Sequence, residues 1–333
     1  MINFLIRRTI LASITTVAIS VIAFVAIQLP PGDFATTYVQ QILLGRDVGN
    51  IVHLDLALEE QIRSDLGLDK PLVVQYLKWG WRVIKLDFGN SIMHGKKISE
   101  VVGDRLLNTM LLALGTILFT WVMAIPIGIY SAVKHNSPGD YAVTFVGFLG
   151  LAIPDFLLAL SLMWIGFAYF DISVGGLYSS QYLDAGWSLD KVVDLLQHLW
   201  VPALVLGTAG TAGLIRVLRN NLLDELGKPY VVAARARGVP EWKLVFKYPV
   251  RIALNPFIST LGYLLPFLLS GSVIVSVVLS LPTLGPILLE SLLGEDMYLA
   301  ATIVLMMGML TVIGTLISDI LLVLFDPRIK VQD

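Results

Sequence analysis

Long stretches without a single charged side chain constrain this sequence more than any other feature in it. Residues 9–32, 106–133, 199–215 and 297–318 contain no Asp, Glu, Lys or Arg. About 20 mostly apolar residues carry an α-helix across a bilayer, and a helix satisfies its backbone hydrogen bonds within the segment. Each run therefore predicts a membrane span. Residues 141–170 predict another, interrupted only by Asp155. The uncharged run 252–289 is too long for one perpendicular helix. Pro282, Gly285 and Pro286 break it, which predicts one span to about Leu281 and a short cap or re-entrant segment beyond. The reading is an all-α, polytopic membrane protein with six transmembrane helices.

Composition agrees: 56% of residues are hydrophobic and 14% charged, against roughly a quarter charged in soluble domains. A net charge of -2 gives no footing for a nucleic-acid partner held by counterion release; the expected partner is membrane lipid. The lack of cysteine removes disulfides, thiolate metal sites and cysteine nucleophiles. His53, His94, His135 and His198 are dispersed, with no H-E-x-x-H pair, and read as polar loop or interface residues. No metal site and no catalytic residue are expected.

Arg7 and Arg8 precede the first apolar run, as in a signal peptide, but the run is longer than usual and ends in Leu29-Pro30-Pro31-Gly32 without an A-x-A-like cleavage site. A retained first helix is expected. If the spans alternate, Arg7, Arg8, Lys134, the many cations of 216–251, Arg328 and Lys330 share one side, while the short opposite connections 171–198 and 282–296 hold only Lys191. The positive-inside rule then places both termini in the cytoplasm. The chain divides into 1–32 with the first span, an outer cap segment 33–105, and a core 106–333 that contains a cytoplasmic loop, 216–251.

In the outer segment Glu59 and Arg63 stand one turn apart within 58–66, and Gly67 supplies a stop. Leu72, Tyr76, Trp79 and Val83 then recur at helical spacing, with Lys78, Arg82 and Lys85 between them. Such a helix suits an external docking face or a membrane-surface helix with interfacial tryptophans. In the inner segment a helix is expected from Asn220 to Ala236, stopped by Gly238. Pro240 is expected at the first position of a second helix, complemented by Glu241, with Trp242, Val245 and Phe246 on one face and Lys243 and Lys247 on another. A charged helix-Gly-helix can pass force from a soluble partner, or lie on anionic lipid.

The stretch Tyr230-Val-Val-Ala-Ala-Arg-Ala-Arg-Gly238, followed by Lys247 and Asn255-Pro256, resembles the coupling loop of ABC importer permeases of the dipeptide/oligopeptide family. Leu66-Gly-Leu-Asp-Lys-Pro71, Asp87-Phe-Gly-Asn-Ser91, Arg105-Leu-Leu-Asn-Thr109, Ile153-Pro-Asp-Phe156 and Asp326-Pro-Arg-Ile329 also look like that family's first permease subunit. Val232 stands where many importers have a glutamate. Pro249 stands where a helix-compatible residue is expected, so the second loop helix should end by Tyr248. The resemblance implies a type I importer fold. It also implies a loop in which Tyr230, Ala233, Ala234, Arg235, Arg237, Gly238, Glu241 and Lys247 meet a cytosolic ATPase subunit. With no G-x-x-x-x-G-K-[ST] in the chain, ATP and Mg2+ are expected on the ATPases and no cofactor here. Implied partners are a second homologous permease in a heterodimer, two ATPase subunits and an extracytoplasmic solute-binding protein, in a bacterial or archaeal inner membrane.

Candidate translocation-path residues are Ser272, Ser276 and Ser280, spaced four apart on the fifth span beside Gly271, and Thr311 and Thr315, which with Ser318 form a similar face on the sixth. Either face suits a wet path or close helix packing. Asp155, directly after Pro154, is either functional or an acceptor for backbone donors at a helix break. The leading expectation is import of short peptides by alternating access. Oligosaccharide cargo, an ion-coupled transporter or channel, and less favourably an intramembrane enzyme are the alternatives.

Overall fold

The computed structural model describes residues 2–28, 60–61, 64, 69–172, 174–183 and 185–325. The Glu59/Arg63 pair, Gly67, Leu66 to Leu68 of their motif, Arg328, Lys330 and the 326–329 motif lie outside the described residues. The helices are α1 (Ile2–Gln28), α2 (Leu72–Ile84), α3 (Ile98–Val133), α4 (Pro138–Ala152), α5 (Asp155–Phe170), α6 (Leu189–Leu226), α7 (Pro229–Ala236), α8 (Glu241–Lys247), α9 (Pro249–Ala253), α10 (Asn255–Val278), α11 (Leu284–Leu293) and α12 (Met297–Phe325).

Helices α1, α3, α6 and α12 are each long and apolar enough to span a membrane, and α4 with α5 passes the same test as a broken pair. The 24 uncharged residues of α10 have the length and composition of a sixth span.

The centre of the fold is α3 packed along α6. Gly115 lies against Leu199, Gly207 against Phe119, and Gly128 against Leu218, so residue numbers rise together and the two helices run parallel. A Cβ on Gly115 would meet Leu199 Cδ2 at 2.5 Å, so any larger residue there would oblige the leucine side chain to shift. Two parallel spans joined in sequence require the chain to return between them, and α4–α5 makes that return. It does so through a 100° bend within the span expected for 141–170, at the helix break given above as one of the two readings of Asp155. The cause is Pro154, which forces Ile153 into extended geometry (ψ 121°) and becomes the N-cap of α5.

Contacts then fix the direction of every span. At one end Ser318 of α12 donates to the Ile258 carbonyl of α10 at 2.8 Å, and Asp319 pairs with Arg8 of α1 at 3.0 Å. At the other, Ala23 and Phe24 of α1 pack with Trp79, Ala301 and Leu305. The starts of α1 and α10 and the ends of α3, α6 and α12 thus share the end that carries α7 and α8.

The outer helix α2 turns Trp79 and Tyr76 onto Phe24 of α1, with ring centroids 5.8 and 5.5 Å away. Its other face, Leu72, Val73, Leu77, Trp81 and Ile84, is exposed. That face is apolar and carries a tryptophan, which suits either a docking face or a membrane-surface helix.

Candidate functional site

The inner segment is built of shorter pieces than its sequence suggests. Helix α6, 38 residues and so about 57 Å long at 1.5 Å per residue, exceeds the roughly 30 Å hydrocarbon core and projects beyond it. It stops at Leu226 because Pro229 takes the first turn of α7. The helix expected from Asn220 to Ala236 is therefore two. Gly238, at φ +79°, closes α7 in a Schellman cap: Val239 N–H donates to the Ala234 carbonyl and Gly238 N–H to that of Arg235. Pro240 is the N-cap of α8, one position before the expected one, and α8 ends at Lys247 with Tyr248 as its cap.

Burial divides this loop into an inner and an outer face. Val231, Leu244 and Val245 join one apolar cluster with Ala132, Leu218, Leu222, Val250 and Phe257, uniting the loop with the ends of α3 and α6 and the start of α10. Tyr230, Val232, Ala233, Trp242 and Phe246 are exposed. The expected face of Trp242, Val245 and Phe246 is corrected: Val245 turns inward with Leu244, leaving the two aromatics outside. Ala234 is half-buried against the cluster. Arg235 forks onto Glu241 at 3.0 and 2.6 Å, bracing α7 against α8 across Gly238 and holding the Glu241 carboxyl below its ordinary range. These two expected contact residues therefore engage each other. Arg237 and Lys247 are exposed, with the Lys247 ammonium 5.5 Å from the Tyr248 ring, and Tyr230 donates to Glu225.

Sequence reasoning missed the clamp above this loop. Arg219 of α6 donates through Nε and Nη2 to Asp140 at 2.9 and 2.8 Å, and Ser131 of α3 donates to the same carboxylate, whose side chain is 2% exposed. Asn136 N–H adds a third direction at 3.0 Å. Three spans are tied at one buried carboxylate. The available signal was Ser137-Pro-Gly-Asp140, a helix start in which Ser137 caps the Asp140 N–H at 3.2 Å; nothing local pairs it with Arg219.

The path candidates do not form two continuous faces. Ser276 is buried, with no partner for its hydroxyl among the described residues. Ser280 is off the helix. It sits at φ +52° as the residue after the cap of α10, with Leu281 N–H bonded to the Ser276 carbonyl and Ser280 N–H to that of Val277. This Schellman cap removes it from the expected four-residue stripe; the Ser272 side chain lies outside the described residues. Thr311 donates to the Met307 carbonyl and Thr315 to that of Thr311, while Ser318 serves the α10–α12 contact. Asp155 is half-buried in the first turn of α5, where its charge complements the helix end.

At the outer end two of the sequence motifs named above act as staples. Asp87 accepts from Arg82 and from Gly89 N–H, and Arg82 keeps its carboxyl below the usual range. Ser91 donates to buried Asp296 at 2.6 Å, joining this segment to the start of α12. Asn108 donates to the Pro282 carbonyl at 3.0 Å and accepts from Tyr178 at 2.9 Å, and Thr109 accepts from Leu284 N–H at 2.9 Å. Burial pushes the Tyr178 hydroxyl up from its ordinary pKa.

A family described as the binding-protein-dependent transport system inner membrane component matches residues 124–331, and its N-terminal counterpart matches 1–113. This chain belongs to that permease family. It is 35% identical over 329 residues to the oligopeptide transport system permease protein AppB of Bacillus subtilis, covering 98% of this chain and 99% of that protein. A putative peptide permease of Brucella ovis is 30% identical over 99% of this chain and 100% of its own length. The glutathione transport system permease protein GsiC of Salmonella paratyphi A is 29% identical over 99% of both chains. The permease is thus an all-α inner-membrane component of an ABC importer, and the ion-coupled and intramembrane-enzyme readings fall away.

Proposed function

We propose that the permease forms half of the membrane pathway of an ATP-driven peptide importer, paired as a heterodimer with a second, homologous permease. A solute-binding protein delivers cargo from outside, and two cytosolic ATPase subunits, carrying ATP and Mg2+, grip α7 and α8. Both termini lie in the cytoplasm with that loop, as the distribution of cations favours. The observation that carries this reading is the two-sided loop: Val231, Leu244 and Val245 are fused into the core of the spans while Tyr230, Val232, Trp242 and Phe246 are left exposed. A packed interior has low compressibility, so a pull on the exposed face moves the ends of α3, α6 and α10 together. Asp140 and Arg219 extend the movement to α4, and the spans alternate between outward and inward openings.

Peptide cargo is supported by the names of the relatives. Oligosaccharide would draw on Tyr178 and Trp187 at the outer end, but Lys191 occupies a face of each ring, 4.9 and 5.5 Å from the centroids. The test is uptake into proteoliposomes holding the whole transporter with its binding protein. Gly238→Trp should insert normally yet abolish ATP-dependent peptide uptake, because no large side chain adopts φ +79° without strain. Normal uptake by that variant refutes the loop assignment, and a binding protein that co-purifies with glycans and no peptide refutes the cargo.

A further inference from the structure

At the outer end a cavity of about 840 Å3 lies between the first turns of α3, residues 178, 183 and 185–187 of the connection before α6, and the start of α6. Its volume falls in the range of small-molecule sites. Lys191 lines it, and is the sole Lys or Arg in the short outer connections, where such residues are disfavoured. It is only 7% exposed. Its ammonium donates to the Ala185 carbonyl at 2.6 Å and lies over Tyr178 and Trp187. No carboxylate among the described residues comes within ion-pair distance of it.

An ammonium has three donors, and one is spent on protein oxygen. A buried cation with no direct ion pair among the described residues is costly, and two aromatic faces offset only part of that cost. Lys191 is thus held ready for an anion that enters the cavity. The wall behind it is fixed, since Tyr178 is hydrogen-bonded to Asn108 and Asn108 to Pro282. The same cavity is lined by Glu100 and Asp104, exposed and one turn apart on α3, and by Lys96 and Arg105, which are less buried than Lys191, so it carries both signs of charge.

We propose that this vestibule holds a peptide by its two charged ends, the C-terminal carboxylate on Lys191 and the N-terminal ammonium at Glu100 and Asp104. The site deepens the peptide reading above and rests on it. An uncharged sugar offers neither end.

The complete transporter in proteoliposomes, with its binding protein, tests this with trialanine, trialanine amide and N-acetyl-trialanine. Each variant is compared with wild type on the same peptide, so the binding protein's own preference cancels. Lys191→Met should lower kcat/KM for free trialanine about tenfold or more, the scale of a lost charge-assisted hydrogen bond, and for the amide less than about twofold. Lys191→Arg should recover most of the loss. Glu100→Gln with Asp104→Asn should reduce uptake of trialanine and its amide and spare the N-acetyl form. Equal losses on all three peptides, or no loss, overturn the proposal alone and make Lys191 a brace or a docking residue. A wild-type transporter that takes up no form of trialanine with ATP overturns the peptide reading as well.

Discussion

The two ends of the bundle share apolar packing and a buried carboxylate but differ in what those tie together. At the inner end, α7 and α8 merge with the spans through Val231, Leu244, Val245 and Phe257, and one buried carboxylate binds α3, α4 and α6. At the outer end, apolar clusters around Ile98, Leu284 and Leu299 and around Phe24 and Trp79 are joined by hydrogen bonds at Asn108, Thr109 and the buried Asp296, which attach turns to helix ends beside an open, charged cavity. An apolar core resists deformation, and so carries displacement. Hydrogen bonds to turns are discrete and can be exchanged for others, or for water, at modest net cost. Under the proposed function the inner end is the driven one, and the exchangeable turn bonds, set beside apolar clusters, make the outer end the more switchable of the two.

The largest effect expected from breaking this contrast is at Asp140. Arg219→Met removes the partner of a buried carboxylate and should cost about 3–5 kcal/mol, seen as a lower unfolding temperature in detergent. Replacing both members, Arg219→Met with Asp140→Leu, removes the stranded charge and should restore most of the stability. Transport should stay impaired in the double variant, because α4 no longer follows α6. A double variant that transports normally would show that the pair is only structural.

A smaller effect belongs to the outer network. Asn108→Ala leaves the Tyr178 hydroxyl and the Pro282 carbonyl without their partner, at a cost of about 1–3 kcal/mol. If the outer end is the switchable one, the loss should appear mainly as raised ATPase activity without cargo, since the outer turn is freed while the inner core is untouched. Unchanged basal ATPase activity alongside a lower unfolding temperature would place Asn108 among the stiff elements instead.

How much of this was legible follows the range of the forces. The spans could be read because lipid demands long uncharged helices, and the breaks at Pro154 and Pro249 because proline acts on its immediate neighbour. Gly238 could be read as a stop for the same local reason. The overlong first loop helix was misjudged where Pro229 outweighed favourable helix formers on both sides. The Asp140–Arg219 clamp was invisible because its members are 79 positions apart, and only the parallel packing of α3 and α6 brings them together. The same holds for Lys191: a lone cation in an outer connection looks like solvent-facing charge until Tyr178 and Trp187 are found around it.

The smallest predicted effect isolates one more difference between the ends. Both use the same Schellman cap, but the inner one has Gly238 in the left-handed position and the outer one has Ser280 at φ +52°. A side chain there costs energy that glycine avoids, while glycine costs more entropy on folding. Ser280→Gly should on balance stabilise the permease by about 0.5–1 kcal/mol, a rise of a degree or two in the unfolding temperature at most for a chain of this length. If the strain helps the outer turn to yield, the same variant should turn over more slowly on cargo while its inner coupling is unchanged. Destabilisation by Ser280→Gly would show that the serine is not held in the left-handed conformation, and would return it to the helical face expected from its spacing.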